Sequence, residues 1–139
     1  MKTLLAVSAA ALILIGSSTS ADDSDAVAQA QVAARSWLAL TDGAKYGESW
    51  DTAASLFKNV VTRADWEKAL KGVRAPLGAL KGRQVKSATF TRTLPGAPDG
   101  EYVVIQFESQ FENKATAVER VTPMHEKDGA WRVSGYFIR

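Results

Sequence analysis

The hydrophobic period of this chain changes once, near residue 83, and that change sets the fold class. Before it, apolar residues recur at helical spacing. Ala26, Ala30, Ala33, Trp37 and Leu40 form one stripe, three and four residues apart, which Asp42-Gly43 ends. Tyr46, Trp50, Ala53 or Ala54, and Phe57 form a second stripe. Trp66, Leu70, Val73 and Leu77 form a third, opened by Thr62-Arg63-Ala64-Asp65. There the threonine hydroxyl can accept from a free amide, and the acid sits at the positive end of the helix dipole. Pro76 and Gly78 stop this helix.

Beyond residue 83 the period is two. Runs 83–94, 101–112, 115–126 and 130–138 are rich in Val, Thr, Phe, Tyr and Ile. Turn chemistry separates them: Pro95-Gly96-Ala97-Pro98-Asp99-Gly100, then Asn113-Lys114, then Asp128-Gly129. Short connections imply sequential antiparallel pairing. The sequence therefore predicts an α+β domain with three N-terminal helices packed on a curved, four-stranded antiparallel meander sheet.

If Asp128-Gly129 and Asn113-Lys114 are both two-residue loops, with positive φ at both positions of the first, the register follows. Arg120 then faces Phe107 and Phe137, Met124 faces Val133, and His125 faces Arg132. The core face becomes Val103, Ile105, Phe107, Phe111, Val118, Met124, Trp131, Val133 and Phe137. A slip of one residue would turn every side chain to the other face. The first strand stays ambiguous, because Val85 and the set Ala88, Phe90, Leu94 lie on opposite sides.

The N-terminus reads as an export signal. Lys2 precedes the apolar run Leu4 to Ile15, and Gly16-Ser17-Ser18-Thr19-Ser20-Ala21 supplies small residues for cleavage. The run is shorter than the roughly 20 residues a membrane span needs. Residues 1–21 are expected to be the signal peptide and 22–139 a single periplasmic or secreted domain without a transmembrane segment. The absence of cysteine excludes a disulfide framework, a thiol nucleophile and thiolate zinc sites.

The formal net charge of +2 hides an uneven distribution. Residues 22–57 are acidic, with two bases and six acids, and residues 58–92 carry nine bases against two acids. A solvated basic face is the plain reading of the middle block. The sharper one is a patch for an anionic partner, for which Lys68 and Lys71 share a helix face away from the Trp66 stripe. Nucleic acid does not fit an exported chain whose basic block lacks interleaved aromatics.

A run of motifs carries a resemblance. Trp37, Asp42, Tyr46, Ser49-Trp50, Trp66, Arg74, Pro76-Leu77-Gly78 and Arg83 are followed by Leu94-Pro95-Gly96, Asp99-Gly100-Glu101-Tyr102, Phe111, Glu119, Asp128-Gly129-Ala130-Trp131-Arg132 and Gly135-Tyr136. In this order they resemble a bacterial exported family known as domain of unknown function 4019. The resemblance implies a cone-shaped fold similar to cystatins and nuclear transport factor 2, and it implies no activity.

Cones of this type make enzymes by lining the cavity with a His/Asp pair and tyrosines. Here His125 is the sole histidine, and Glu119 would lie about 20 Å along the same strand. His125 therefore reads as a surface residue. Nucleophile motifs, metal-ligand spacing and a cofactor fingerprint are absent from the sequence. The expected register sets Glu108 opposite Glu119 on the outer face, a like-charge pair that is most simply solvated. Aromatic residues are the richer signal. Tryptophans at helical spacing are usually core, but Tyr46, Trp50, Trp66, Arg74 and Arg120 could line a cleft between helices and sheet. Arg120 on the core face would have to reach the open edge, pair with Asp42 or Asp51, or hold an anionic ligand. The leading expectation is a binding or accessory module for a small anionic ligand or an envelope protein. The alternatives are a cofactor-free lyase or isomerase, and an inhibitor or immunity-type protein.

Overall fold

Trp37 is 3% exposed in the last third of the first helix, and the aromatic core gathers around it. The computed structural model describes residues 21–139, with side chains from Asp23 onward. The expected signal segment lies, apart from Ala21, outside these residues. Helix α1 spans Ala21–Asp42, and its buried side chains are Ala30, Ala34, Trp37, Leu38 and Thr41. Ala33 and Leu40, expected in the stripe, flank it. Small residues run the length of α1, so its sequence leaves the facing side free to rotate by a residue.

The second expected helix is two short ones, α2 (Tyr46–Asp51) and α3 (Ser55–Val60). The break falls at Thr52, whose N–H and hydroxyl both donate to the Glu48 carbonyl. Ala54 is extended there, and its N–H donates to the Val133 carbonyl at 2.8 Å, a bond a continuous helix could not make. Helix α4 covers Arg63–Arg74, and Thr62 accepts from the Asp65 N–H as the sequence predicts. A single 3-10 turn at Ala75–Leu77 ends the helical half.

Strands β1 (Leu80–Thr91), β2 (Tyr102–Phe111), β3 (Lys114–His125) and β4 (Trp131–Ile138) form one antiparallel sheet in the order β1-β2-β3-β4. The α+β meander is therefore present, with four helices in place of three. No helix among the described residues is long and apolar enough to cross a membrane.

The register departs from expectation by one residue, for identifiable reasons. The β2–β3 loop is Glu112-Asn113, because the chain just after α4 clamps it. Asn113 N–H donates to Leu77 O, Glu112 N–H donates to Ala79 O, and Asn113 Nδ2 donates to Pro76 O. Gly78 permits this approach at φ 73°, where a Cβ would stand 3.0 Å from that of Glu112. A bulge near Ser109 and Phe111 follows, so Phe107 faces Glu119 and Ile105 faces Val121.

The β3–β4 connection is not a two-residue turn either. Gly129 N–H donates to Glu126 O and Glu126 N–H to Ala130 O, a three-residue loop with positive φ at Gly129 but not at Asp128. His125 consequently faces Trp131, and Met124 faces Arg132. A bulge between Thr122 and Pro123 restores the expected pairs Thr122 with Gly135 and Arg120 with Phe137, but on the outer face. Arg120 is exposed and Phe137 is 54% exposed, while Glu119, Val121 and Tyr136 point to the helices.

Val103, Ile105, Phe107, Phe111 and Val133 are buried as expected; Val118, Met124 and Phe137 are on the other side. In β1 a bulge between Val85 and Ser87 switches the parity. It lets Val85, Ala88 and Phe90 all pack on the same core.

Candidate functional site

The two ends of the sheet carry different chemistry. At one, α1 and α4 finish over the inner face, where β2 presents Ser109 in line with apolar Phe107 and Ile105. Asp42 is the last residue of α1, and Arg74 the last of α4. Arg83 Nη1 and Nη2 donate to Asp42 at 2.8 and 3.0 Å, while Arg83 Nε and Nη2 donate to Glu119 Oε1 at 2.9 and 2.7 Å. Ser109 donates to the same Glu119 oxygen at 2.6 Å, and Tyr136 donates to the other. Arg74 donates to Asp42 at 2.6 Å and to Thr41 Oγ1 at 2.8 Å, and lies 4.7 Å over the Phe111 ring. Glu119 is fully buried, and both guanidiniums are nearly so.

Two cations and two anions balance in this cluster. Burial alone would raise the Asp42 carboxyl, but hydrogen bonds from Arg83 and Arg74 outweigh it and hold Asp42 below the usual carboxylate range. Burial and the Glu119 carboxylate push the Tyr136 phenol well above its ordinary value, so it stays protonated and donates. Arg74 Nε is the one buried side-chain polar atom without a partner among the described residues.

Tyr136 also belongs to the aromatic core. Its ring lies 5.1 Å from Trp37 and 6.5 Å from Trp66, and Phe57 meets Trp66 edge-on at 4.7 Å. Three indole N–H groups are consumed internally. Trp37 donates to Ser49 O, Trp50 to Val61 O and Trp66 to Ser49 Oγ, at 2.8, 2.8 and 2.9 Å.

The opposite end is open. Trp131, half-buried at the start of β4, has no hydrogen bond for its indole N–H among the described residues. It borders three adjoining depressions. One of about 250 Å³ runs between α1 and β4 past Ala33, Leu40 and Thr52. A second, of about 360 Å³, is edged by Val32, Gly129 and Ala130. The third, of about 350 Å³, is lined by Asp23, Asp25, Phe90, Arg92, Glu101 and His125. His125 stacks on Trp131 at 5.0 Å, its Nδ1 lies 2.7 Å from Glu101 and its Nε2 lies 3.1 Å from the Gly129 carbonyl.

A family model described as "Protein of unknown function (DUF4019)" matches residues 33–136. The chain belongs to that family. No curated protein matches it. The expected resemblance to DUF4019 is thus shown, and the four-stranded α+β architecture is consistent with the cone that the resemblance implies.

In this DUF4019 domain the five residues expected to line one cleft are not gathered into one. Trp66 is in the aromatic core and Arg74 in the charged cluster. Trp50 seals against Val61 with Lys58 over its ring, and Tyr46 borders a shallow depression beside Glu48, Arg63 and Glu67. Arg120 stands on the outer face. Lys68 and Lys71 are exposed on α4 and make no ion pair among the described residues, whereas Arg63, Arg74, Arg83 and Lys86 of the basic block all do.

The expected Glu108–Glu119 pair does not form. Glu108 bonds Lys86 at 3.3 Å outside, and Glu119 turns inward. His125, expected on the outer face beside Arg132, lies on the helix side with a carboxylate neighbour, because the three-residue loop moves it opposite Trp131. Sequence reasoning missed Glu101 as its partner, since the two are joined only by the tertiary meeting of the β1–β2 loop with β3. Ser109 did carry a signal, a hydroxyl on an otherwise apolar strand face, where a buried polar partner is required.

At the charged end each carboxylate oxygen of Glu119 and Asp42 already accepts from this DUF4019 domain's own donors, and Arg74 Nε is the one buried side-chain polar atom left over among the described residues. The Trp131 end offers an indole donor with no acceptor among the described residues, an aromatic floor and charged side chains.

Proposed function

We propose that this chain is an exported binding module that recognises its ligand at the Trp131 end of the sheet, not between the helices and the sheet centre. The observation that carries this reading is the contrast among the four indoles. Trp37, Trp50 and Trp66 spend their N–H groups inside the protein, and Trp131, in a concave, partly apolar surface, has no acceptor for its own among the described residues. The depression beside it is of the size that small-molecule sites occupy, roughly 300 Å³ and upward. Its lining sets the carboxylates of Asp23, Asp25 and Glu101 against the guanidinium of Arg92, which stacks on Phe90 at 4.9 Å. Opposed charges over an aromatic floor suit a zwitterion, such as an amino acid or the end of a peptide. Export is supported by the Leu4 to Ile15 run and the small residues after it.

Amide chemical-shift mapping tests this. Addition of lysine, tryptophan or a tripeptide should move resonances of 23–33, Arg92 and 125–133, and Trp131→Ala should abolish the shifts while the fold persists. Shifts at the helix interior, or none with any zwitterion, would contradict it.

A second reading rests on Lys68 and Lys71, two exposed bases of α4 that make no ion pair among the described residues, whereas Arg63 and Arg74 of the same helix do. It makes α4 an anchoring face for an anionic surface.

A further inference from the structure

His125 has two hydrogen-bond partners, and both are acceptors. Nδ1 faces a Glu101 carboxylate oxygen at 2.7 Å, and Nε2 faces the Gly129 carbonyl at 3.1 Å. A neutral imidazole carries one N–H and can serve only one of them; the imidazolium carries two and serves both. The ring also lies nearly parallel to Trp131, at 15° and 5.0 Å, the arrangement in which an aromatic face attracts a cation.

We infer that protonated His125 is an acid-dependent latch that fixes the β3–β4 turn and Trp131 in their binding arrangement. The inference rests on the Trp131 site proposed above and adds its regulation. The latch joins three separate segments. Glu101 belongs to the loop before β2, Gly129 to the turn before β4, and Trp131 to β4 itself. Deprotonation removes one donor and the positive charge. One acceptor is then left to water, and the indole loses its cation. The backbone bond from His125 N–H to Glu101 O, 2.9 Å, does not depend on the ring, so the strand stays paired while the turn loosens.

Asp23 and Asp25 of α1 and Glu101 line the same depression and favour the cation; Arg92, beyond β1, opposes it. In the turn, Asp128 is held below the usual carboxylate range by the Ala130 amide and then by Arg132, so it stays ionised while His125 changes state. Arg132 also lies 3.7 Å from Glu126, and Lys127 is exposed. Catalysis by His125 as a base fits this geometry poorly, because both ring nitrogens are turned to protein acceptors, Glu101 and the Gly129 carbonyl.

Because His125 is the sole histidine, its ring nitrogens can be followed without ambiguity in the full mature protein. The protein is compared without ligand between about pH 5.5 and pH 8, the interval in which histidine side chains commonly change charge. In the parent, the ring should carry two slowly exchanging N–H protons at the acid end. Exchange of the Gly129 amide, corrected for its intrinsic pH dependence, should speed up several-fold as the ring loses a proton. His125→Gln keeps a donor and an acceptor but no charge, and its Gly129 exchange should be flat across the interval. A flat parent, or an equal response in His125→Gln, overturns the latch. Ligand shifts at fixed pH are read separately: a pH response without them supports the latch and refutes the binding reading, while ligand shifts beside a flat parent refute the latch alone.

Discussion

Arg83 of β1 and Glu119 of β3 form an ion pair at 2.7 Å across the strand that separates them, and neither side chain is more than 8% exposed. Ser109 of that intervening strand donates to Glu119, and Asp42 at the end of α1 closes the other side of Arg83. Three strands and a helix end are tied through two charges.

Removing one charge leaves the buried cluster unbalanced. Glu119→Ala should lower unfolding free energy by about 3–5 kcal/mol, because Asp42 is then left as the single anion for two buried arginines. The double change Arg83→Met with Glu119→Leu should lose distinctly less than the sum of the single changes. Urea denaturation measures both. A loss under about 1 kcal/mol for Glu119→Ala would show that the pair is wet rather than buried.

The cluster also sets an acid limit. Asp42 is held below its ordinary value by the two arginines despite the opposing effect of its burial, so it favours the folded state when ionised. Its contribution is complete above the unfolded aspartate value, about 3.9, and disappears as pH falls through the lower folded value. Thermal melts of the parent should therefore fall steeply below about pH 4, and Asp42→Asn should start lower and show a shallower acid slope. Equal slopes would remove Asp42 from the account.

Tyr136 and Phe137 test the register directly. Tyr136→Phe takes a donor from buried Glu119 and should cost about 1–3 kcal/mol. Phe137→Ser, on the outer face, should change stability by no more than about 0.5 kcal/mol. The reverse order in chemical denaturation would restore the register in which Phe137 is core.

The layout of the fold was legible in the period change near residue 83, because alternation and helical spacing are long-range patterns that survive local irregularity. What failed was parity on β3 and the far half of β4. A count along Asn113-Lys114 cannot register that residues 76–79 grip the neighbouring loop, and Asp128-Gly129 serves a three-residue turn as well as a two-residue one. Each error is one residue, and one residue moved Arg120 outward and Glu119 inward. The polar residues of the cluster were all visible in the motif run or beside it, Asp42, Arg74, Arg83, Glu119 and Tyr136 among them. Their mutual bonding was not, since it depends on that parity and on a bulge in β1.

The basic block gives a separate prediction. Lys68→Glu with Lys71→Glu should leave the melting temperature within a few degrees, because both side chains are exposed and make no ion pair among the described residues. Retention on phosphatidylglycerol vesicles at low salt should drop in the double variant, and added salt should release the parent likewise. A parent that never binds returns α4 to a solvated face.

Indole hydrogen exchange tests the central claim, that Trp131 is the open aromatic and the others are closed. With each Trp side-chain N–H assigned by a Trp→Phe variant, transfer to deuterated water should leave Trp37, Trp50 and Trp66 protected by their internal acceptors. Trp131 should exchange fastest of the four, and its resonance should move most when a tripeptide is added. Protection of Trp131 equal to that of Trp37, or a larger peptide-induced shift at Trp66, would place the binding surface in the interior and contradict the account.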